Sequence, residues 1–391
     1  MSGHYFKYLD ENTIRREALG EQVNESVTHI LRLKERLGLF NKPLKGLDVH
    51  RAEKLLLCEE HREAARKVAE NSIVMLENDG VLPIDEGKTI GLFGSMAETN
   101  RLLGSWSCEG KNEECVMLRK AFEERGVKLL EQADATDPGG QEEQILACDV
   151  AIVVTGEDQD STGESTSRTS LELPEQDLEL VKELRRKGIP TVVVVHSGRP
   201  LMLEPVSKLA NGLIQAWFLG SESGNALADL LLGRISPQGR LTMTFPRNIG
   251  QIPIYYNAYN TGRPKLSEID SNKYTSRYID CSNSPLYPFG YGLLYTEMEY
   301  SNLVLSKRLL QGDEFLRVSV TICNIGNREG IETVQLYIRD DFCSVVRSVM
   351  ELKAFQKVRL AVGGKQTIDF WLSAKDLAFY AGKEGWITED G

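Results

Sequence analysis

The sequence predicts a layered α/β domain on a mostly parallel sheet, followed by an antiparallel β-sandwich. Between residues 89 and 220, short apolar runs ("TIGLFG", "DVAIVVTG", "TVVVVHSG", "GLIQAWFLG") are interleaved with helical stretches such as 113–125, 174–187 and 222–233. Runs apolar on both faces and separated by helices mark strands buried between helical layers. Beyond Tyr300 the period falls to two: "FLRVSVTICN", "IETVQLYIRD", "LKAFQKVRLAV" and "KQTIDFWLS" alternate apolar and polar residues between turns such as "NIGNREG" and "VGGK".

Taken in order, residues 21–39 set Val23, Val27, Ile30, Leu31, Leu33 and Leu37 at helical spacing, with Gly38 as a stop. This amphipathic helix needs a partner surface. After the break at Pro43 and Gly46, "AEKLLLCEEHREAARKVAENSIVMLEND" reads as a second long helical region, ended by the turn residues of "GVLPI". Residues 246–296, rich in Pro, Gly, Asn and Tyr, read as a long ordered connection, because their aromatics have area to bury.

Composition limits what these domains do. With 391 residues, 41% of them hydrophobic, the chain has material for two or three cores. A formal charge of -11 without a long basic run argues against nucleic acid as a partner, and no apolar run is long enough for a membrane helix. Seven scattered cysteines without a CxxC pair read as reduced thiols, and five dispersed histidines offer no ligand set, so neither a metal nor a cofactor is expected.

Ligands of parallel sheets gather at the carboxyl ends of the strands. There the loop "STGESTSRTSLELP" follows the strand "AIVVTG" and carries Glu164 and Arg168 among the hydroxyls of Ser161, Thr162, Ser165, Thr166 and Ser167. A carboxylic acid so placed can serve as a general acid, oriented by its neighbours. On spacing alone, a solvated turn stands beside that reading. A second loop, "LLGSWSCEG", offers Ser105 and Trp106, a hydroxyl and an aromatic face suited to a sugar, or a Trp capping a core edge. His196 in "HSGRPL" reads as a structural histidine more readily than a catalytic one. "GSESGNALADLLLG" lacks the GxGxxG and GxxxxGK[ST] patterns of nucleotide loops.

Taken together, several segments resemble the family 3 glycoside hydrolases of the β-glucosidase and β-xylosidase type. They are "AARKVAENSIVMLENDGVLPI", "LLGSWS", "GESTSRTSLELP", "QAWFLGSESGNALADLLLGRISPQGRLTMTFPR", "QIPIYYNAYNTGRP" and "SPLYPFGYGLLYT", in that order. "ETVQLYIRD", "ELKAFQKV" and "DLAFY" resemble the family's fibronectin type III-like domain. The resemblance implies residues 1–45 as the end of a (β/α)8 barrel, 46–245 as an α/β sandwich, 246–296 as a connection, and 297–391 as a fibronectin type III-like domain without its last strand.

It also implies a retaining hydrolase with two carboxylates about 5–5.5 Å apart, a nucleophile Asp from the barrel and an acid/base Glu from the sandwich. Carried over by motif, the acid/base falls on Glu164, with Glu157 of "TGEDQD" as its rival, and Ser105 lines up with a family serine that reaches the sugar; Trp106, as a stacking face, and Arg168 complete the expected substrate-binding residues. Arg168 would hold the loop or Glu164 in place. The nucleophile would come from outside these residues, so the expected function is the acid/base portion of an enzyme for terminal β-glucosides or β-xylosides, working with a barrel-domain subunit. A second copy of the chain is another expected partner, since the helix at 21–39 and the sheet edge after "WITEDG" would be left uncovered. The alternative is a catalytically inactive carbohydrate-binding or interaction module.

Overall fold

The computed structural model describes residues 19–44, 46–131, 138–265, 267 and 272–389, with isolated positions 3, 7, 10, 14 and 15 and without the side chains of 138–141 and 144. Most of the expected barrel remnant before residue 19, and the last two residues, lie outside the described set. The chain forms two units, Met1–His61 and Arg62–Gly391.

In the first unit, α1 (Gly20–Arg36) carries Glu21 in its first turn and Lys34 and Arg36 in its last, complementing the helix dipole. α2 (Val49–Leu55) is capped by Asp48, whose side chain accepts from the Arg51 amide at 3.0 Å. The long helix predicted over 52–79 does not form as one piece. Leu56 is extended and Leu57 has a φ of 53°, which separates α2 from α3 (Glu59–Ser72). After α3 the chain becomes β1 (Val74–Asn78). Consecutive Ile73, Val74, Met75 and Leu76 are all fully buried, which a strand covered on both faces accommodates and an amphipathic helix does not.

The second unit continues with β2 (Thr89–Phe93), α4 (Leu118–Glu124), β3 (Lys128–Leu129), α5 (Pro138–Ala147), β4 (Val150–Gly156), α6 (Glu175–Lys187), β5 (Thr191–His196), α7 (Glu204–Ser207), β6 (Gly212–Gln215) and α8 (Ser223–Leu231). The six strands lie in the order β1-β6-β5-β4-β2-β3. β1 is antiparallel to β6 and the other pairs are parallel. Successive side chains of β4 point to opposite faces: Val150, Ile152 and Val154 pack with Phe122 and Leu227, whereas Ala151 and Val153 pack with Val181 and Leu184. The strand expected over 212–220 stops at Gln215, and Trp217 turns away with a φ of 57°.

From β2 the chain crosses to β3 on one side; from β4 it crosses to β5 on the other. The loops leaving β2 and β4 therefore diverge at adjacent carboxyl ends, the topological switch point where open α/β sheets bind ligands.

The connection after Phe245 is fastened by its aromatics. Tyr287 pairs with Phe245 and donates to Glu77 Oε1 at 2.7 Å, Tyr291 donates to the Leu76 carbonyl at 3.1 Å, and Tyr256 stacks on Phe289 at 4.1 Å. The expected antiparallel β-sandwich follows with β7 (Met298–Leu305), β8 (Phe315–Asn324), β9 (Gly330–Ile338), β10 (Glu351–Leu360) and β11 (Lys365–Ser373). Sheets β11-β8-β7 and β10-β9 enclose Val318, Ile322, Val334, Val358, Ile368 and Phe370. Arg240 joins the two domains by donating to Glu332 Oε1 at 2.8 Å. No helix among the described residues is long and apolar enough to cross a membrane.

Phe245 is fully buried and meets Trp217 edge-on at 6.0 Å, so it joins the connection to the α/β core. Phe245→Ala should destabilise the second unit by about 3–5 kcal/mol, read as a lowered midpoint in denaturant titration.

Candidate functional site

The site is built from the last residue of β4. Gly156 has a φ of 135°, and a Cβ there would lie 1.8 Å from the His196 carbonyl oxygen, so only glycine lets β4 stay paired with β5 to its end. The next amide, of Glu157, donates to that same carbonyl at 2.8 Å, and the Glu157 side chain turns inward until it is 1% exposed.

Two arginines meet it there. Arg168 Nη1 donates to Glu157 Oε1 at 2.8 Å, and Arg199 Nε lies 3.3 Å from the same oxygen. Arg199 then spans outward: its Nη2 donates to the carbonyls of Ser161 at 2.6 Å and Thr166 at 3.0 Å. These carbonyls flank Glu164, which is exposed. The turn between them uses Gly163 at a φ of 100° and Ser165 at 62°, with Thr166 Oγ1 donating to the Gly163 carbonyl at 2.7 Å.

The loop after β2 closes against this turn. A Cβ on Gly163 would lie 2.3 Å from Ser105 Oγ and 3.2 Å from Trp106 Nε1, so the bare Gly163 backbone rests on both residues. Arg101 holds the loops together with a fork to Asp158, 2.7 and 3.0 Å long, and a further bond to Asp160. Trp106 remains 69% exposed, with an aromatic face open to solvent.

Sequence-predicted Glu164, Ser105 and Trp106 are thus brought to one edge. Arg168 turns to Glu157 rather than to Glu164. Glu157, the rival acid, is enclosed and out of reach of a ligand arriving from solvent. Arg199, in the "HSGRPL" segment, is not distinguished by the sequence, because its carboxylate partner Glu157 lies 42 residues away and no local pattern ties the two. Nor is the Arg101–Asp158 clasp, for which no local pattern exists. Among the described residues no group of three His, Cys, Asp or Glu is placed to hold a metal ion.

Residues 73–295 match the Glycosyl hydrolase family 3 C-terminal domain, and residues 332–391 match the Fibronectin type III-like domain. The chain belongs to glycosyl hydrolase family 3. It is 35% identical to a periplasmic beta-glucosidase of Salmonella typhimurium over 99% of this chain and 55% of that protein. It is 32% identical to a beta-xylosidase of Formosa agariphila over 96% of this chain and 53% of that protein. A crystal structure of a beta-glucosidase from Listeria innocua in complex with gluconolactone has a TM-score of 0.92 at 35% identity, covering 100% of this chain and 55% of that one. The chain therefore spans about half the length of the relatives it matches.

In this family 3 chain His196 is structural. It is 2% exposed, and its Nδ1 donates to the Trp217 carbonyl at 2.7 Å. Burial pushes its pKa down to about 4, from 6.5, so the native ring is neutral. The unfolded chain takes up a proton near pH 6.5 that the native chain resists until about 4, so this contribution is full above 6.5 and is lost as pH falls through 4. The loss amounts to about 3 kcal/mol. His196→Asn, which keeps a donor for the Trp217 carbonyl, should flatten that part of the acid dependence in urea titrations.

Proposed function

We propose that this chain supplies the general acid/base of a retaining β-glycosidase that hydrolyses terminal β-glucosides or β-xylosides. One observation carries the reading. In the loop 157–168, Glu157 is held by Arg168 and Arg199, and Asp158 and Asp160 are held by Arg101, whereas Glu164 is exposed and has no arginine partner among the described residues. It is the carboxyl group of that loop free to meet a substrate.

Glu164 would first give a proton to the glycosidic oxygen as the aglycone leaves. It would then take a proton from the water that releases the sugar from the nucleophile, an Asp about 5–5.5 Å away. Trp106 offers a ring to stack on a sugar face, and Ser105 a hydroxyl to bond it. The nucleophile and the grip on the nonreducing sugar belong to a (β/α)8 barrel outside these residues, in the same longer polypeptide or in a partner subunit. Relatives named both beta-glucosidase and beta-xylosidase keep both sugars within the proposal. The same reading assigns residues 1–45 to the end of the barrel, 46–245 to the α/β sandwich, 246–296 to the connection and 297–391 to the fibronectin type III-like domain.

Glu164→Gln, assayed with a barrel half present, should lower kcat/KM about 10²–10⁴-fold on a glycoside with a poor alcohol leaving group. The loss should be far smaller on a dinitrophenyl glycoside, which leaves without a proton. Undiminished activity on the poor leaving group would refute the assignment. The chain alone should show no turnover on either substrate, and turnover by it would remove the need for the barrel.

A further inference from the structure

The loop that bears Glu164 is held from beneath by a carboxylate that the proposed reaction does not use. Glu157 sits at the end of β4, enclosed, with Oε1 between Arg168 and Arg199 and with Oε2 buried and making no hydrogen bond among the described residues. Arg199, from the loop after β5, makes no bond to Glu164. Its free nitrogen joins the carbonyls of Ser161 and Thr166, on either side of Glu164. Arg168 lies four residues after Glu164 and anchors the outgoing end of the same loop on the same oxygen.

We propose that Glu157 is the positioning residue for Glu164: one buried carboxylate gathers two arginines and through them fixes both ends of the acid/base loop. This rests on the reading of Glu164 as the acid/base. The physical reason is the cost of a buried charge without partners. Two guanidinium groups share one oxygen in a site of low dielectric, and without the carboxylate they would repel each other and move out to water. Arg199 would then leave the Ser161 and Thr166 carbonyls, and the turn at Gly163 would lose its support.

Hydrogen exchange on the full chain tests the clamp without any need for turnover. Glu157→Gln keeps the shape and removes the charge. Arg199→Lys keeps a cation but cannot span the two carbonyls. In both variants the amide of Ser161, which donates to the Asp158 carbonyl at 2.9 Å, should exchange at least about tenfold faster, with β4 and β5 as protected as before. Unchanged exchange at that amide overturns the proposal, and so does loosening of β4 and β5 to the same degree, which would make Glu157 a general core element.

The second reading is kinetic, on the chain with its barrel half. Glu157→Gln should lose about tenfold or more in kcat/KM on a poor leaving group and much less on a dinitrophenyl glycoside, a milder copy of the Glu164→Gln pattern. Equal losses on both substrates overturn the positioning role. If Glu164 is not the acid/base, Glu164→Gln loses its leaving-group dependence while the exchange result stands. If the clamp is wrong, Glu164→Gln keeps its effect and Glu157→Gln exchanges like the native chain.

Discussion

The parallel pairing of β4 with β5, carried to its last residue, is the constraint on which the site depends. Gly156 lies opposite His196, too close for any side chain, and the Glu157 amide still bonds the His196 carbonyl. The backbone therefore leaves the sheet at one place and in one direction. Glu157 is directed inward by that exit, Arg199 and Arg168 follow the buried carboxylate, and the turn that exposes Glu164 rests on Arg199. Replacing such a buried cluster with apolar residues can leave stability unchanged or raise it, so its value here lies in fixing one loop geometry.

Sheet topology supplies the rest of the edge. β2 and β4 are neighbours whose following chains diverge, which opens a crevice between their loops. Ser105 and Trp106 enter it from β2 and Gly163 from β4, and Arg101 closes it with charge-assisted bonds to Asp158 and Asp160. Three of the four carboxylates between residues 157 and 168 are used to build the loop, and the fourth, Glu164, stays exposed.

The central strands were legible because full burial writes itself as unbroken runs such as "VVVVH", and the sandwich strands because alternation survives where one face is wet. The loop that bears Glu164 was legible by its place after a strand and by its motif. What sequence missed were long-range events. "SIVMLEN" continues a helical run on paper, yet it becomes an edge strand because β6 offers it a partner. "AWFLG" looks like strand but bends at Trp217, whose carbonyl accepts from His196. Arg199 and Glu157 lie 42 residues apart, and no local period links them.

Glu164 is proposed as the group that moves protons at the anomeric centre. Its most direct test replaces Glu164 with Gly in the chain assembled with its barrel half and adds azide. Azide needs no proton removed, so it can attack the sugar held on the nucleophile without a base. Azide should restore turnover of a dinitrophenyl glycoside, and nuclear magnetic resonance should identify the product as the β-glycosyl azide. Turnover that azide does not raise, or a product of α configuration, would contradict that role.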